Sequence, residues 1–308
     1  MKSQVSATSG TNLISKEIKK LSNLLSNLEF RQNPYFFIFV SIPLLWDLHF
    51  LMGLEKWRKK HKVQSEKWFD TVAEFEALNS LACLHFLFPH YAFPQISEEK
   101  FVCQAQNLGH PLIHHSKRVS NDFSIENKGT IYVVTGSNMS GKSTFLRTIG
   151  INAVLALAGA PVCANQMQIS CLQIFTSMRT HDSLSESVSS FYAELKRIRQ
   201  LLDKLHDEPP ILFLLDEILK GTNSEDRNKG AKGLIRQLHK YKLSGLVSTH
   251  DLELGRLAEE NPNFIKNYSF NSELIGDNQL HFPYKLSEGV CKSFNASVLM
   301  KIIGIEMG

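Results

Sequence analysis

The sequence predicts an α/β domain, with a central and mostly parallel sheet flanked by helices, preceded by an all-helical segment. Three observations predict it. Short runs rich in β-branched and apolar residues, at 130–135, 172–178, 211–215 and 245–249, alternate with stretches whose apolar residues recur at helical spacing. Residues 12–88 carry the helical period and no strand signal. Between the first of the strand runs and the helix after it lies a glycine-bearing stretch, Gly136-Ser137-Asn138-Met139-Ser140-Gly141-Lys142-Ser143-Thr144.

Composition sets the outer limits. The chain has 308 residues, 43 % of them hydrophobic and 21 % charged, as in ordinary globular proteins. A net charge of +4 is too mild to imply nucleic acid by itself. The five cysteines, Cys83, Cys103, Cys163, Cys171 and Cys291, form no C-x-x-C pair. They suggest neither a zinc site nor a disulfide framework, and a reducing cytoplasm is the expected setting.

Taken in order, residues 1–11 read as a polar, disordered tail without the apolar core of a signal peptide. Residues 12–29 form an amphipathic helix on Leu13, Ile14, Ile18, Leu21, Leu25 and Leu28. The run from Tyr35 to Trp46 is almost wholly apolar, but Asp47 and His49 interrupt it short of the ~20 residues a spanning helix needs. It reads as a buried helix, and membrane contact is the alternative. A basic helix with Lys56, Arg58, Lys59, Lys60 and Lys62 follows, then an amphipathic helix over 64–88. Pro89, Pro94 and the polar residues to Lys100 end the helical segment, so the expected division is 12–100 helical and 101–308 α/β. Within the second part, 183–190 reads as a loop, 191–202 as a helix, 265–271 with 279–285 as a hairpin, and 295–303 as a closing helix.

The glycine stretch fits G-x-x-x-x-G-K-[ST] in full, between a strand and a helix. Glycines at 136 and 141 let the backbone turn tightly and approach a ligand. Successive N–H groups and the positive end of the helix dipole then converge on phosphate oxygens. Lys142 reaches β- and γ-phosphates, and the Ser143 hydroxyl suits Mg²⁺. Asp216-Glu217 closes the apolar run 211–215. A carboxylate there can hold Mg²⁺, and its neighbour can orient or deprotonate water. His250 stands beyond the run 245–249, where it can hydrogen-bond a phosphate or a water. His110, His114 and His115 have no partner at metal-ligand spacing.

With these residues in hand, the chain resembles the MutS family of mismatch-repair ATPases. The Asn138-Met139 pair within the phosphate loop carries much of the likeness. Leu214-Leu215-Asp216-Glu217 with Lys220-Gly221-Thr222-Asn223-Ser224 resembles the family's Walker B strand and following loop. Ser248-Thr249-His250 resembles its switch histidine. Residues 182–195, with Ser189-Ser190-Phe191 and Glu194, resemble its signature segment. Gly109-His110-Pro111-Leu112-Ile113 and Tyr284-Lys285-Leu286-Ser287-Glu288-Gly289-Val290 are similar to its entry and closing segments. The likeness is strong over 105–305, while 12–100 resembles the helical core and lever more weakly. It implies an ABC-type P-loop ATPase using ATP and Mg²⁺, with residues 136–144 on the nucleotide, Ser143 and Asp216 on the metal, and Lys142, Glu217 and His250 in catalysis. It implies a homodimer in which Ser189 of one subunit caps the nucleotide of the other near the Asn223-Ser224 loop, with DNA as partner. No Phe-x-Glu wedge occurs in the chain, so no mismatch-reading element is expected. Nothing between Arg118 and Phe123 matches the family's aromatic adenine contact. The pattern resembles the C-terminal part of a short MutS-related protein, some of which carry membrane helices.

Overall fold

The computed structural model describes residues 11–99, 101–125, 127–178, 190–206, 208–275 and 279–292. Of the expected loop 183–190, residues 183–189 with Ser189 lie outside them, as does the expected helix 295–303, whereas Ser190 is helical. The chain forms two compact units, Met1–Asn79 and Ser80–Gly308.

In the first unit α1 (Thr11–Glu29) runs antiparallel to the start of α3 (Trp46–Leu87). The Trp46 indole donates to the Asn27 carbonyl at 2.9 Å and the Trp57 indole to the Glu17 carbonyl at 3.0 Å, so residue numbers along the two helices run in opposite directions. Lys60 donates to the Glu17 carboxylate at 3.0 Å, and this bond lowers the Glu17 pKa. His61 is buried between the rings of Trp57 and Trp68.

Two expectations fail here. The apolar run after Tyr35 is not a buried helix. A single turn, α2 (Pro34–Phe36), capped by the Asn33 side chain, passes into a π-turn at Phe37–Ser41 and breaks. Pro43 has no N–H to continue a helix, and Leu45 takes a left-handed φ of 49°. The helical stretch before the break and α3 meet at 87°. At this elbow Tyr35 is 76 %, Phe39 72 % and Leu44 66 % exposed. Among the described residues no single helix is long and apolar enough to cross a membrane, although the bent pair has the length and composition. Second, the separate basic and amphipathic helices are one, because no glycine or proline interrupts residues 54–87.

Strands β1 (Gln95–Ser97), β2 (Cys103–Leu108), β3 (Asn121–Ile125) and, later in the chain, β5 (Gln166–Ser170) make a four-stranded sheet in the order β1-β5-β2-β3. The sheet therefore claims Gln95–Ser97, which the sequence assigns to the end of the helical segment. Between β3 and β5 come β4 (Ile131–Gly136) and α4 (Lys142–Leu157). The rest follows as β6 (Gln173–Ser177), α5 (Ser190–Leu202), β7 (Ile211–Asp216), α6 (Ser224–Lys240), β8 (Ser244–Thr249), α7 (Leu252–Glu260), β9 (Ile265–Phe270), β10 (Glu273–Ile275), β11 (Gln279–His281) and β12 (Leu286–Glu288). The six-stranded sheet has the order β12-β9-β4-β8-β7-β6, parallel except for the edge strand β12. The expected hairpin is also different. β9 pairs with β4 and β12, and the hairpin is the shorter β10–β11.

Strand periodicity divides the core. Tyr132, Val134, Leu212, Leu214 and Leu246 face α4, where Phe145, Leu146, Ile149 and Ala153 pack between them and Phe123, Ile125, Met167 and Ile169 of the smaller sheet. Their neighbours Ile131, Val133, Ile211, Phe213, Leu215 and Val247 face the other way, onto Ile198 and Leu201 of α5, Ile235 and Leu238 of α6 and Leu254 and Leu257 of α7. A strand buried on both faces tends to read as a continuous apolar run, as β4 does over 131–134 and β7 over 211–215, whereas β8 is buried throughout with small and polar residues on either side of Leu246-Val247. At Gly245 a Cβ would stand 2.1 Å from the Phe213 carbonyl oxygen, a backbone atom that cannot yield. Gly245→Ala is expected to cost about 3 kcal/mol, the upper range for overpacking, read as a lower urea midpoint at unchanged m-value.

Candidate functional site

Parallel pairing of β4 with β8 and of β8 with β7 brings three strand ends to one edge, with Thr135 opposite Thr249 and Asp216 opposite Ser248. Polar residues that follow apolar strands are gathered there, the usual ligand position in such sheets.

The loop leaves β4 at Gly136, where a Cβ would meet the Ser140 hydroxyl at 2.6 Å and the Phe270 carbonyl at 2.8 Å. Met139 (φ 66°) and Gly141 (φ 106°) take left-handed turns, and Gly141 caps α4. Lys142 is buried, and its ammonium donates to the carbonyls of Gly136 at 2.8 Å and Ser137 at 2.9 Å. Burial lowers its pKa, against the pull of Asp216 and Cys291. The hydroxyl oxygens of Ser137 and Ser140 are buried with no hydrogen-bond partner. Unpartnered buried hydroxyls, an ammonium and the free N–H groups of the first helical turn make a donor set suited to an anion.

Asp216 joins the loop to the sheet. Its Oδ1 accepts from the Ser143 hydroxyl at 3.0 Å and from the Ser248 hydroxyl. A hydroxyl and a carboxylate in contact are oxygen ligands of the kind a hard divalent cation takes. Glu217 has a left-handed φ of 53°, and its N–H donates to the Ser248 carbonyl at 3.0 Å. Its carboxylate pairs with Lys220 and lies 3.6 Å from His250 Nδ1. The His250 pKa is lowered by burial first and then by the charges of Lys220, Arg227 and Lys142, against Asp251. The ring is therefore neutral at pH 7.

A cavity of about 620 Å³ runs along the loop from Glu217 and Lys220 to a wall that sequence reasoning missed. That wall includes Ile113, Val119, Asn121 and Tyr284, with Asn138, Met139 and Thr144 on the loop side. The Tyr284 ring lies against Gly141, where a Cβ would come within 3.0 Å of it. The Asn121 amide donates to the Tyr284 carbonyl at 3.0 Å and its oxygen accepts from Leu286 N at 2.8 Å. The only signal available was an aromatic residue inside the closing segment, far along the chain from the loop it covers. His114 and His115 lie against each other with tilted rings, His110 accepts from Leu112 N, and the described residues contain no cluster of three metal-ligating side chains. The structure thus brings together residues 136–144, Asp216, Glu217 and His250.

Comparison with known proteins bears on this constellation. The chain matches the family model of MutS domain V over residues 132–305. The chain belongs to the MutS family. It is 31 % identical over 250 residues to the DNA mismatch repair protein MutS of Thermotoga sp. (strain RQ2), covering 80 % of this chain and 31 % of that protein. To MutS protein homolog 4 of Mus musculus it is 31 % identical over 242 residues, covering 74 % and 24 %. The MutS of Staphylococcus haemolyticus is 29 % identical over 237 residues, covering 75 % and 26 %. The chain thus spans less than a third of the length of these MutS relatives. The MutS domain match begins within β4, so it includes the glycine loop, Asp216, Glu217, His250 and Tyr284.

Because the native pKa of His250 lies below its ordinary 6.5, the unfolded chain takes up that proton first. Its contribution to stability is complete above about pH 6.5 and is lost as the pH falls through the lowered native value. His250→Gln should therefore flatten part of the stability loss below pH 6.5, and the His250 ring should titrate below 6.5 by NMR.

Proposed function

We propose that this MutS-family chain binds ATP with Mg²⁺ and hydrolyses it as one half of an ABC-type homodimeric clamp acting on DNA. The observation that carries the reading is the convergence of the glycine loop, Asp216, Glu217 and His250 on one cavity. Its volume suits a nucleotide, which falls within the usual 300–1,000 Å³ of small-molecule sites.

The residues divide the work. Backbone N–H groups of the loop and Lys142 hold the β- and γ-phosphates, with Lys142 exchanging its two carbonyl partners for phosphate oxygens. Ser143 and Asp216 hold Mg²⁺, which when bound neutralises charge on the phosphates. Glu217 orients water and accepts its proton, and neutral His250 offers a hydrogen bond beside it. Ile113, Val119 and the Tyr284 ring give the base an apolar wall. Ser189 of a second subunit caps the γ-phosphate near the Asn223-Ser224 loop, completing the charge-stabilising shell only when two chains close. DNA as partner is supported by the mismatch-repair names of the relatives. Scattered cysteines without a C-x-x-C pair suit a cytoplasmic setting.

Lys142→Ala and Glu217→Gln should each lower ATP hydrolysis by about 100-fold or more. Glu217→Gln should still bind ATP, and with Mg²⁺ it should sediment as a dimer that moves faster when duplex DNA is added. Hydrolysis unchanged in both variants would remove the assignment.

One observation favours a second reading, an ATPase held at a membrane surface. The exposed apolar elbow at 35–45 is followed on α3 by Lys56, Arg58, Lys59, Lys60 and Lys62, a pairing that suits anionic headgroups. If it holds, the protein floats with phosphatidylserine vesicles and the Phe39→Asp/Leu44→Asp variant stays at the bottom of the gradient. Sedimentation of the wild-type protein away from the vesicles would refute it.

A further inference from the structure

Lys220 has no part in the assignment above, yet it borders the same cavity and touches the proposed base. We infer that Lys220 is a positioning residue shared between Glu217 and the terminal phosphate of a nucleoside triphosphate, and that it makes the site distinguish triphosphate from diphosphate. The inference rests on the ATP reading of the site.

The loop that presents Lys220 is held at every step. Asp216 ends β7 inside the sheet, and the Glu217 N–H is bonded to Ser248. Ile218 and Leu219 are buried in the core beneath, and the Leu219 N–H donates to the Glu194 carboxylate of α5. At Gly221 a Cβ would stand 2.4 Å from Phe191 Cβ, so the backbone lies directly on α5. With 218 and 219 anchored, 217 and 220 are left to face the cavity. Left-handed backbone at Glu217 and Leu219 puts this i, i+3 pair in contact without a helix.

Charge gives the pair its meaning. The Lys142 ammonium belongs to the glycine loop itself, where Gly136 and Ser137 hold it. At the Glu217 end, the carboxylate is 12 % and the Lys220 side chain 25 % exposed. A terminal phosphate arriving beside Glu217 would meet a like charge in a poorly solvated place, an arrangement that opposes binding. An ammonium already on that carboxylate cancels the repulsion and sets a positive charge beside the arriving phosphate. A diphosphate ends short of this point and draws on the glycine loop with Lys142. Removing Lys220 therefore harms triphosphate twice, through a lost contact and through an exposed carboxylate, and should leave diphosphate nearly untouched.

The test is equilibrium binding of ATP and ADP by calorimetry, with Mg²⁺, on the full chain and its variants. Lys220→Met should weaken ATP by about 10-fold or more relative to ADP, while Lys220→Arg keeps most of the wild-type ratio. In a Glu217→Gln background the same Lys220→Met change should cost ATP clearly less, because the repelling carboxylate is gone. Lys220→Gln is read in the same way should the methionine variant melt early. An unchanged ATP-to-ADP ratio, or equal losses for both nucleotides with a lower melting temperature, would overturn the inference while leaving the ATP reading intact. Wild-type protein that binds neither nucleotide would overturn both.

Discussion

A single carboxylate oxygen ties the site together. Asp216 Oδ1 accepts from Ser143 on α4 and from Ser248 on β8, while Asp216 itself ends β7. Three elements that come together only through the parallel sheet therefore meet at one atom. The bond forms only if β7 and β8 are in their observed register and α4 starts where Gly141 starts it. A shift of one residue in either strand would send Asp216 or Ser248 to the opposite face. Leu212, Leu214 and Leu246 fit against α4 while Phe213, Leu215 and Val247 fit against the helices of the other face, and this close packing opposes that slip, so packing on both faces of the sheet sets the geometry of the polar edge.

How far the sequence reveals the site depends on how local the physics is. The glycine loop was legible because its strand, turn and helix signals lie within about thirty residues and agree with one another. Asp216, Glu217 and His250 were legible because each follows an apolar run whose burial is unambiguous. Tyr284 and Asn121 were not. They meet through a hydrogen bond across 163 positions, and no local pattern announces it. Lys220 was visible as a residue of the loop, but its contact with Glu217 depends on left-handed backbone at 217 and 219, which non-glycine residues seldom advertise. The elbow failed for a different reason. Hydrophobicity alone suggested burial, whereas Pro43 and the left-handed Leu45 decide the path of the chain there.

The glycine-loop edge carries costs that a structure selected for stability alone would shed. Among the described residues, Met139, Glu217 and Tyr284 line the cavity in left-handed backbone, and Leu219 lies in the same loop as Glu217. Each such residue costs of order 1 kcal/mol or more. Lys142 is buried with its pKa lowered, two buried serine hydroxyls have no partner, and the His250 pKa is lowered by burial first and then by the cations around it. The orphaned hydroxyls, the buried ammonium and the depressed imidazole have the same sign of remedy. An anion along the loop would satisfy the hydroxyls, restore the basicity of Lys142 and lower the local positive potential that depresses His250. Orphaned donors and shifted pKa values, gathered at one strained place and relieved by one class of ligand, make a physical argument for a phosphate site that stands beside the family match.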